Sequence, residues 1–190
     1  MPKLKNKFVS VFILSVMIVV LSGCADDLPP EIEYGEFPFR FVYEMNGETY
    51  IIEDTVVCTY SGMDGSGGIR KIRCWSSDLK ESEKLIDPED GWYIGSESII
   101  KLSSNKNEYS KLSPNRKNIR SCIYLYCGDP GYYMGEQKGS AARIEYYEKF
   151  ETPQGESGAY TVLTEKQLEE FFGVKIIEFT FSDPIENTFK

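Results

Sequence analysis

Phe37-Pro-Phe-Arg-Phe-Val-Tyr-Glu-Met-Asn-Gly-Glu-Thr-Tyr-Ile-Ile52 carries the clearest pattern in the chain. Phe37, Phe39, Phe41, Tyr43 and Met45 alternate with Pro38, Arg40, Val42 and Glu44. A period of two with one apolar side defines a strand covered on a single face. Pro38 has no N–H to give to a ladder, so its end of the strand belongs at an edge. Asn46-Gly47 comes next, and both residues tolerate the positive φ of a type I′ turn. The reading is a hairpin that pairs Tyr43 with Tyr50 and Phe41 with Ile52. Tyr50, Ile52, Val56 and Cys58 then join the aromatic face from a second strand over residues 48–61.

Outward from this hairpin the chain keeps the same grammar. Short β-prone runs are expected at 69–76, 92–102, 119–127, 132–135, 142–150, 160–163 and 174–181. Turn clusters punctuate them: residues 63–68, Asp87-Pro-Glu-Asp-Gly91, Ser113-Pro-Asn115, Gly128-Asp-Pro-Gly131 and Pro153-Gln-Gly155. The predicted fold class is mainly β, an antiparallel sandwich or curled sheet. One short helix interrupts it, over about 164–172. Thr164-Glu-Lys-Gln167 is a capping box. Leu168, Phe171 and Phe172 give a narrow apolar face, and Gly173 supplies a left-handed stop. Residues 79–86 offer a weaker helical turn.

The 190 residues fit one domain, with 41% hydrophobic and 27% charged residues. That composition is too apolar for a disordered chain and too interrupted for a multi-span membrane protein. There is no His, which excludes imidazole bases, His-containing triads and His-ligated zinc.

The first 24 residues read differently. Lys3, Lys5 and Lys7 precede an apolar run from Phe8 to Leu21, broken only by Ser10 and Ser15. About 14 residues is short for a membrane span and suits the apolar region of a signal peptide. The run ends in Leu21-Ser22-Gly23-Cys24, which resembles the lipobox of bacterial lipoproteins. The resemblance covers about 24 residues and implies a diacylglyceryl group on the Cys24 thiol and cleavage before it by signal peptidase II. Residues 1–23 are then a leader and 24–36 an acidic, Pro-containing tether. Residues 37–190 form a single extracytoplasmic domain held to the bilayer through acylated Cys24. Two or three acyl chains, at about 0.8 kcal/mol per buried methylene, hold firmly where one is marginal. Ala25 leaves no Asp retention signal after the Cys. The expected location is the extracytoplasmic face of a bacterial cell membrane, in a single-membrane cell its outer surface. Removing the three lysines of the leader from 21 basic residues leaves 18 against 30 acids, a net charge of −12. So acidic a body argues against nucleic acid as a partner.

Four cysteines remain: Cys58, Cys74, Cys122 and Cys127. An even number in an exported domain points to disulfides, with three connectivities open. Cys58 and Cys74 each lie eight residues from a turn centred on residue 66, so they are expected to face each other across the hairpin. Cys122 and Cys127 share a predicted strand at odd spacing, which demands a bend or bulge for a direct bond. Buried free thiols are the plain alternative. Spacings of sixteen and five do not match a zinc ribbon, and a catalytic thiol lacks its His.

No catalytic residue or cofactor site emerges. The Gly-rich run at 61–68 leads into a strand, not a helix, and reads as a turn rather than a phosphate cradle. Asp64 with Ser66, and Asp87 with Glu89 and Asp90, lack the full alternating ligand pattern for calcium. The aromatic content is more suggestive, with 13 Tyr, 11 Phe and 2 Trp. In Tyr132-Tyr133 and Tyr146-Tyr147 one member of each pair must face outward from a strand. Exposed Tyr offers a flat apolar face with a polar edge, suited to a sugar ring or a protein partner. The expected role is a non-enzymatic binding module of the cell envelope whose partner is an envelope protein or a glycan. A carbohydrate- or peptide-ligand module using Tyr side chains is the second reading, and a hydrolase built on two carboxylates a remote third.

Overall fold

The computed structural model describes residues 29–65, 72–82, 98–136 and 139–189. Cys24 and the leader lie outside them, as do the calcium candidates Ser66, Asp87, Glu89 and Asp90 and the first half of the strand expected at 92–102. The elements run β1 (Tyr34–Met45), β2 (Glu48–Asp64), β3 (Ile72–Leu79), β4 (Ile99–Tyr109), β5 (Lys117–Tyr126), α1 (Pro130–Tyr133), β6 (Arg143–Thr152), β7 (Gly155–Val162), α2 (Glu165–Phe172) and β8 (Val174–Phe181). They build two antiparallel sheets of four strands, ordered β3-β2-β1-β8 and β4-β5-β6-β7. The protein is thus mainly β, and the sheets do not close into a barrel.

The β1–β2 hairpin forms in the expected register, with Tyr43 opposite Tyr50 and Phe41 opposite Ile52. Asn46 and Gly47 take φ of 56° and 80°, as the turn requires. The even residues of β1 turn their backbone groups away from β2, because the ladder is phased by the Tyr60 amide donating to the Glu33 carbonyl. Pro38 therefore aims its nitrogen toward β8, whose pairing with β1 has already stopped at Phe39–Phe181. The ladder loses no donor there, and the Ser182 hydroxyl donates to the Pro38 carbonyl at 2.7 Å.

The core lies between the sheets. Phe37, Phe39, Phe41, Tyr43, Val56 and Cys58 from the first sheet meet Leu102, Ile123, Leu125, Ile144 and Tyr146 from the second. Rings stack along the first sheet: Phe39 on Phe181 at 4.6 Å, Phe41 on Tyr43 at 5.1 Å, and Tyr43 on Tyr50 at 5.0 Å. Each fully buried ring or aliphatic side chain is worth roughly 1.5–3 kcal/mol, which makes this face the main source of stability. Helix α2 docks on it with Leu168 wholly buried and Phe172 against Tyr146 at 5.1 Å. Its capping box is complete: the Gln167 amide donates to Thr164 Oγ1, and the Thr164 amide donates to Gln167 Oε1. Gly173 closes it at φ 63°.

Three expectations are corrected. Residues 132–135 do not form a strand. Asp129 accepts from the Gly131 amide at 2.7 Å and Pro130 opens the turn, so α1 forms instead. Cys58 lies opposite Ser77 and Cys74 opposite Gly62, because the β2–β3 register is shifted and bulges between Tyr60 and Gly62. The two cysteines are three pairing positions apart, about 10 Å along the strands at ~3.3 Å per residue, too far for a bridge. Cys122 and Cys127 also fail to meet. Cys122 packs with Tyr124 in a small outer cluster and Cys127 sits in the main core. All four remain thiols. The domain also gathers in part of the segment read as a tether, since Pro30 bridges to Phe189 and the Glu31 amide donates to the Thr188 carbonyl at 2.8 Å.

Candidate functional site

Strand β6 sorts its side chains by parity. Ile144, Tyr146 and Glu148 turn inward and are buried; Arg143, Glu145, Tyr147 and Lys149 turn outward. Of the four tyrosines singled out by sequence, the structure buries two. Tyr133 is 1% exposed and donates its hydroxyl to the Cys127 carbonyl at 2.6 Å. Tyr146 is wholly buried and donates to Glu148 at 2.9 Å. Burial pushes both phenols well above the usual tyrosine range. Tyr132 is half-buried on α1 and packs edge-on against Tyr133 at 5.4 Å. Tyr147 alone joins an outer aromatic surface.

That surface is the outer face of the β4–β7 sheet. Tyr147 stands directly opposite Tyr160, with Cys122 on its other side. Its side chain lies across Gly158: a Cβ added there would collide with the Tyr147 hydroxyl oxygen. Glycine at 158 therefore lets the Tyr147 side chain lie over the backbone of β7. Tyr160 is 74% exposed, and Val162 on the same face is half exposed. Beneath Tyr147 the buried Cys122 and Tyr124 pack with Ile99. The rim is charged and paired: Arg120 with Glu156, Lys149 with Glu156 at 3.9 Å, and Arg143 with Glu145 at 2.5 Å. The Arg143 guanidinium also sits 4.1 Å over the Tyr126 ring. The sequence signal for this site was Tyr147 alone. Tyr160 and Gly158 entered it through register, which no local pattern reveals.

Two other polar groupings are structural in build. Glu148, 1% exposed, accepts from Ser110 at 2.6 Å, from Tyr146, and from Arg116. Ser110 Oγ in turn accepts from the amides of Leu112 and Ser113, so this carboxylate anchors the 110–116 loop. A shallow groove of about 420 Å³ lies over Pro38, Phe39, Arg40, Glu53, Asp54, Thr55 and Thr180. Its cation, Arg40, is held by Glu53 and Glu178. Burial pushes the Asp54 carboxyl up, but hydrogen bonds from the Ser82 hydroxyl and the amides of Thr55, Glu81 and Ser82 outweigh it and leave the pKa below the ordinary range. Among the described residues no three His, Cys, Asp or Glu converge to hold a metal ion. Comparison of the chain with protein families, curated proteins and solved structures finds no match.

Proposed function

We propose that the protein is a lipid-anchored, extracytoplasmic, non-enzymatic binding module, and that its contact surface is the outer face centred on Tyr147 and Tyr160. The observation that carries the reading is the pairing of a tyrosine laid over a glycine with a neighbour that is 74% exposed. Aromatic rings held this way offer contact area at little entropic cost, and the paired charges around them supply hydrogen bonds. Anchoring rests on the leader and on Leu21-Ser22-Gly23-Cys24, which address the chain to acylation. The first-choice partner is another macromolecule of the envelope. The charged rim of Arg120, Lys149 and Glu156 favours a glycan as the second reading, because sugars pair ring faces with aromatics and hydroxyls with charges.

The test has two arms. In a bacterial host fed a labelled fatty acid, the full chain takes up label and Cys24→Ala does not; equal labelling of both overturns the anchor. In the second arm, the purified protein is mixed with isolated envelope. Wild type is retained, and Tyr160→Ala loses at least tenfold in affinity. Equal retention of the two overturns the site. Protease treatment of the envelope abolishes retention by a protein partner and leaves retention by a glycan intact.

A further inference from the structure

Among the described strands four lie at sheet edges: β3, β4, β7 and β8. An edge strand presents unpaired backbone groups, and folded proteins blunt it with bulges, lysines or a covering element. Three of the four edges are blunted. Strands β4 and β8 bulge at Leu102 and Ile177, while β3, whose ladder bulges on its partner β2 at Ser61, has helix α1 against it. Strand β4 also carries Lys101 and Lys106, β3 carries Arg73 and Asp78, and β8 carries Lys175 with α2 packed beside it. Strand β7 differs on every count. It pairs with β6 over eight consecutive positions with no shift, and its sequence Gly-Glu-Ser-Gly-Ala-Tyr-Thr-Val has neither Pro nor Lys. Its one charge, Glu156, is neutralised by Arg120 and Lys149.

The phase of its ladder is fixed. The Leu163 amide donates to the Ile144 carbonyl at 3.0 Å, so residues 157, 159 and 161 turn their backbone groups to β6. Residues 156, 158, 160 and 162 turn theirs outward.

We propose that β7 pairs antiparallel with β7 of a second copy of this chain, about a two-fold axis at Ala159. This inference does not rest on the binding role proposed above, although both use Tyr160; the crosslink at Ala159, whose side chain is on the other face of β7, tests the pairing apart from that role. The strand is complementary to itself in that register. Outward backbone groups meet outward backbone groups, Gly158 with Tyr160 and Glu156 with Val162, and no like charges face each other. The exposed Tyr160 ring then lies opposite Gly158 of the second copy, against the Tyr147 ring that already covers that glycine. The contact is isologous and closes after two copies. It joins two four-stranded sheets into one continuous sheet and brings both Tyr147 faces to the same side.

Ala159 is a position that pairs without hydrogen bonds across this axis, where Cα atoms approach to ~4.5 Å and a disulfide can close. The full chain bearing Ala159→Cys, exposed to a mild dithiol oxidant, yields a reducible homodimer on a non-reducing gel. All crosslinking is done in a background with Cys24→Ser and Cys74→Ser, and there the background protein and Ile51→Cys, on the outer face of the other sheet, yield none. In sedimentation equilibrium the wild type dimerises, and Tyr160→Lys weakens the dimer at least tenfold while its circular dichroism, and its melting at concentrations where both proteins are monomeric, are unchanged. Four results overturn the proposal: a monomer at all concentrations, a dimer indifferent to Tyr160→Lys, equal crosslinking of Ile51→Cys, and crosslinking of the Ala159→Cys variant to a different polypeptide.

Discussion

Removing the Glu148 carboxylate, by Glu148→Ala, tests whether the polar core of the second sheet holds one end of the sandwich together. The group is 1% exposed and accepts three hydrogen bonds, from Ser110, Tyr146 and Arg116. Its removal strands two hydroxyl donors in the interior, at about 1–2 kcal/mol each. It also leaves the Arg116 cation without its anion. A third of that side chain reaches water, so its penalty is well short of the ~3–5 kcal/mol of a fully buried broken pair. The expected loss is about 3–4 kcal/mol. For a domain of this size at ~2–4 °C per kcal/mol, melting falls by roughly 6–15 °C. Urea unfolding followed by far-ultraviolet circular dichroism measures it. Arg116→Met keeps the apolar contact that the arginine makes with Phe150, and a double-mutant cycle then isolates the ion pair. The coupling should be about 1–2 kcal/mol. Glu156→Ala, on a half-exposed pair, should cost under ~0.5 kcal/mol. A loss below about 1 kcal/mol for Glu148→Ala, or an additive cycle, refutes the reasoning.

Burial pushes the Cys58 and Cys127 thiols up to about 12, so in the native protein at mildly alkaline pH neither reacts with a disulfide reagent, whereas the partly exposed Cys74 does; peptide mapping after timed labelling checks this. Asp54→Asn weakens three amide hydrogen bonds and should cost about 1–2 kcal/mol at neutral pH. The folded pKa of Asp54 lies below its unfolded value, so its stabilisation is full above about pH 4 and fades as pH falls through the folded pKa. Urea midpoints of wild type and variant should therefore converge in acid. Gly173→Ala places a Cβ at φ 63° where the helix stops, and thermal melting should show a loss of about 1 kcal/mol.

Legibility in the sequence followed the range of the forces. The β1–β2 hairpin was readable because its alternation and its Asn46-Gly47 turn are local and agree with each other. Helix α2 was readable for the same reason, since its cap, apolar face and stop lie within ten residues of one another. The β2–β3 register was not, because a bulge after Tyr60 moves Cys74 away from Cys58, and its one local mark, Gly62 at φ 111°, reads equally well as part of the Gly-rich turn that follows. Residues 132–135 were misread because two adjacent tyrosines favour a strand, while the Asp129-Pro130 pair just before them sets a helical turn. At the candidate site, parity alone put one of Tyr146 and Tyr147 outward. Which one, and that Tyr160 would stand beside it, depended on strand pairing between β6 and β7.

An open edge on a chain this acidic is not an invitation to fibres. The full chain carries a net charge of −9, and charges spread over the surface repel between copies at distances up to the screening length. Main-chain pairing acts only at contact. Of the two terms, repulsion governs approach and grows with every added copy, while pairing is satisfied once, since among the described strands each chain offers a single unblunted edge. Growth past two copies would have to use β3, β4 or β8, of which β4 and β8 are bulged and all three carry charges. The balance therefore selects a dimer over a stack. It also fixes the sign of its salt dependence. Raising ionic strength from low to physiological values screens the repulsion and leaves the hydrogen bonds, so the dimer strengthens with salt. A contact held by opposite charges would weaken, and that outcome in sedimentation would show that something other than the β7 edge joins the copies.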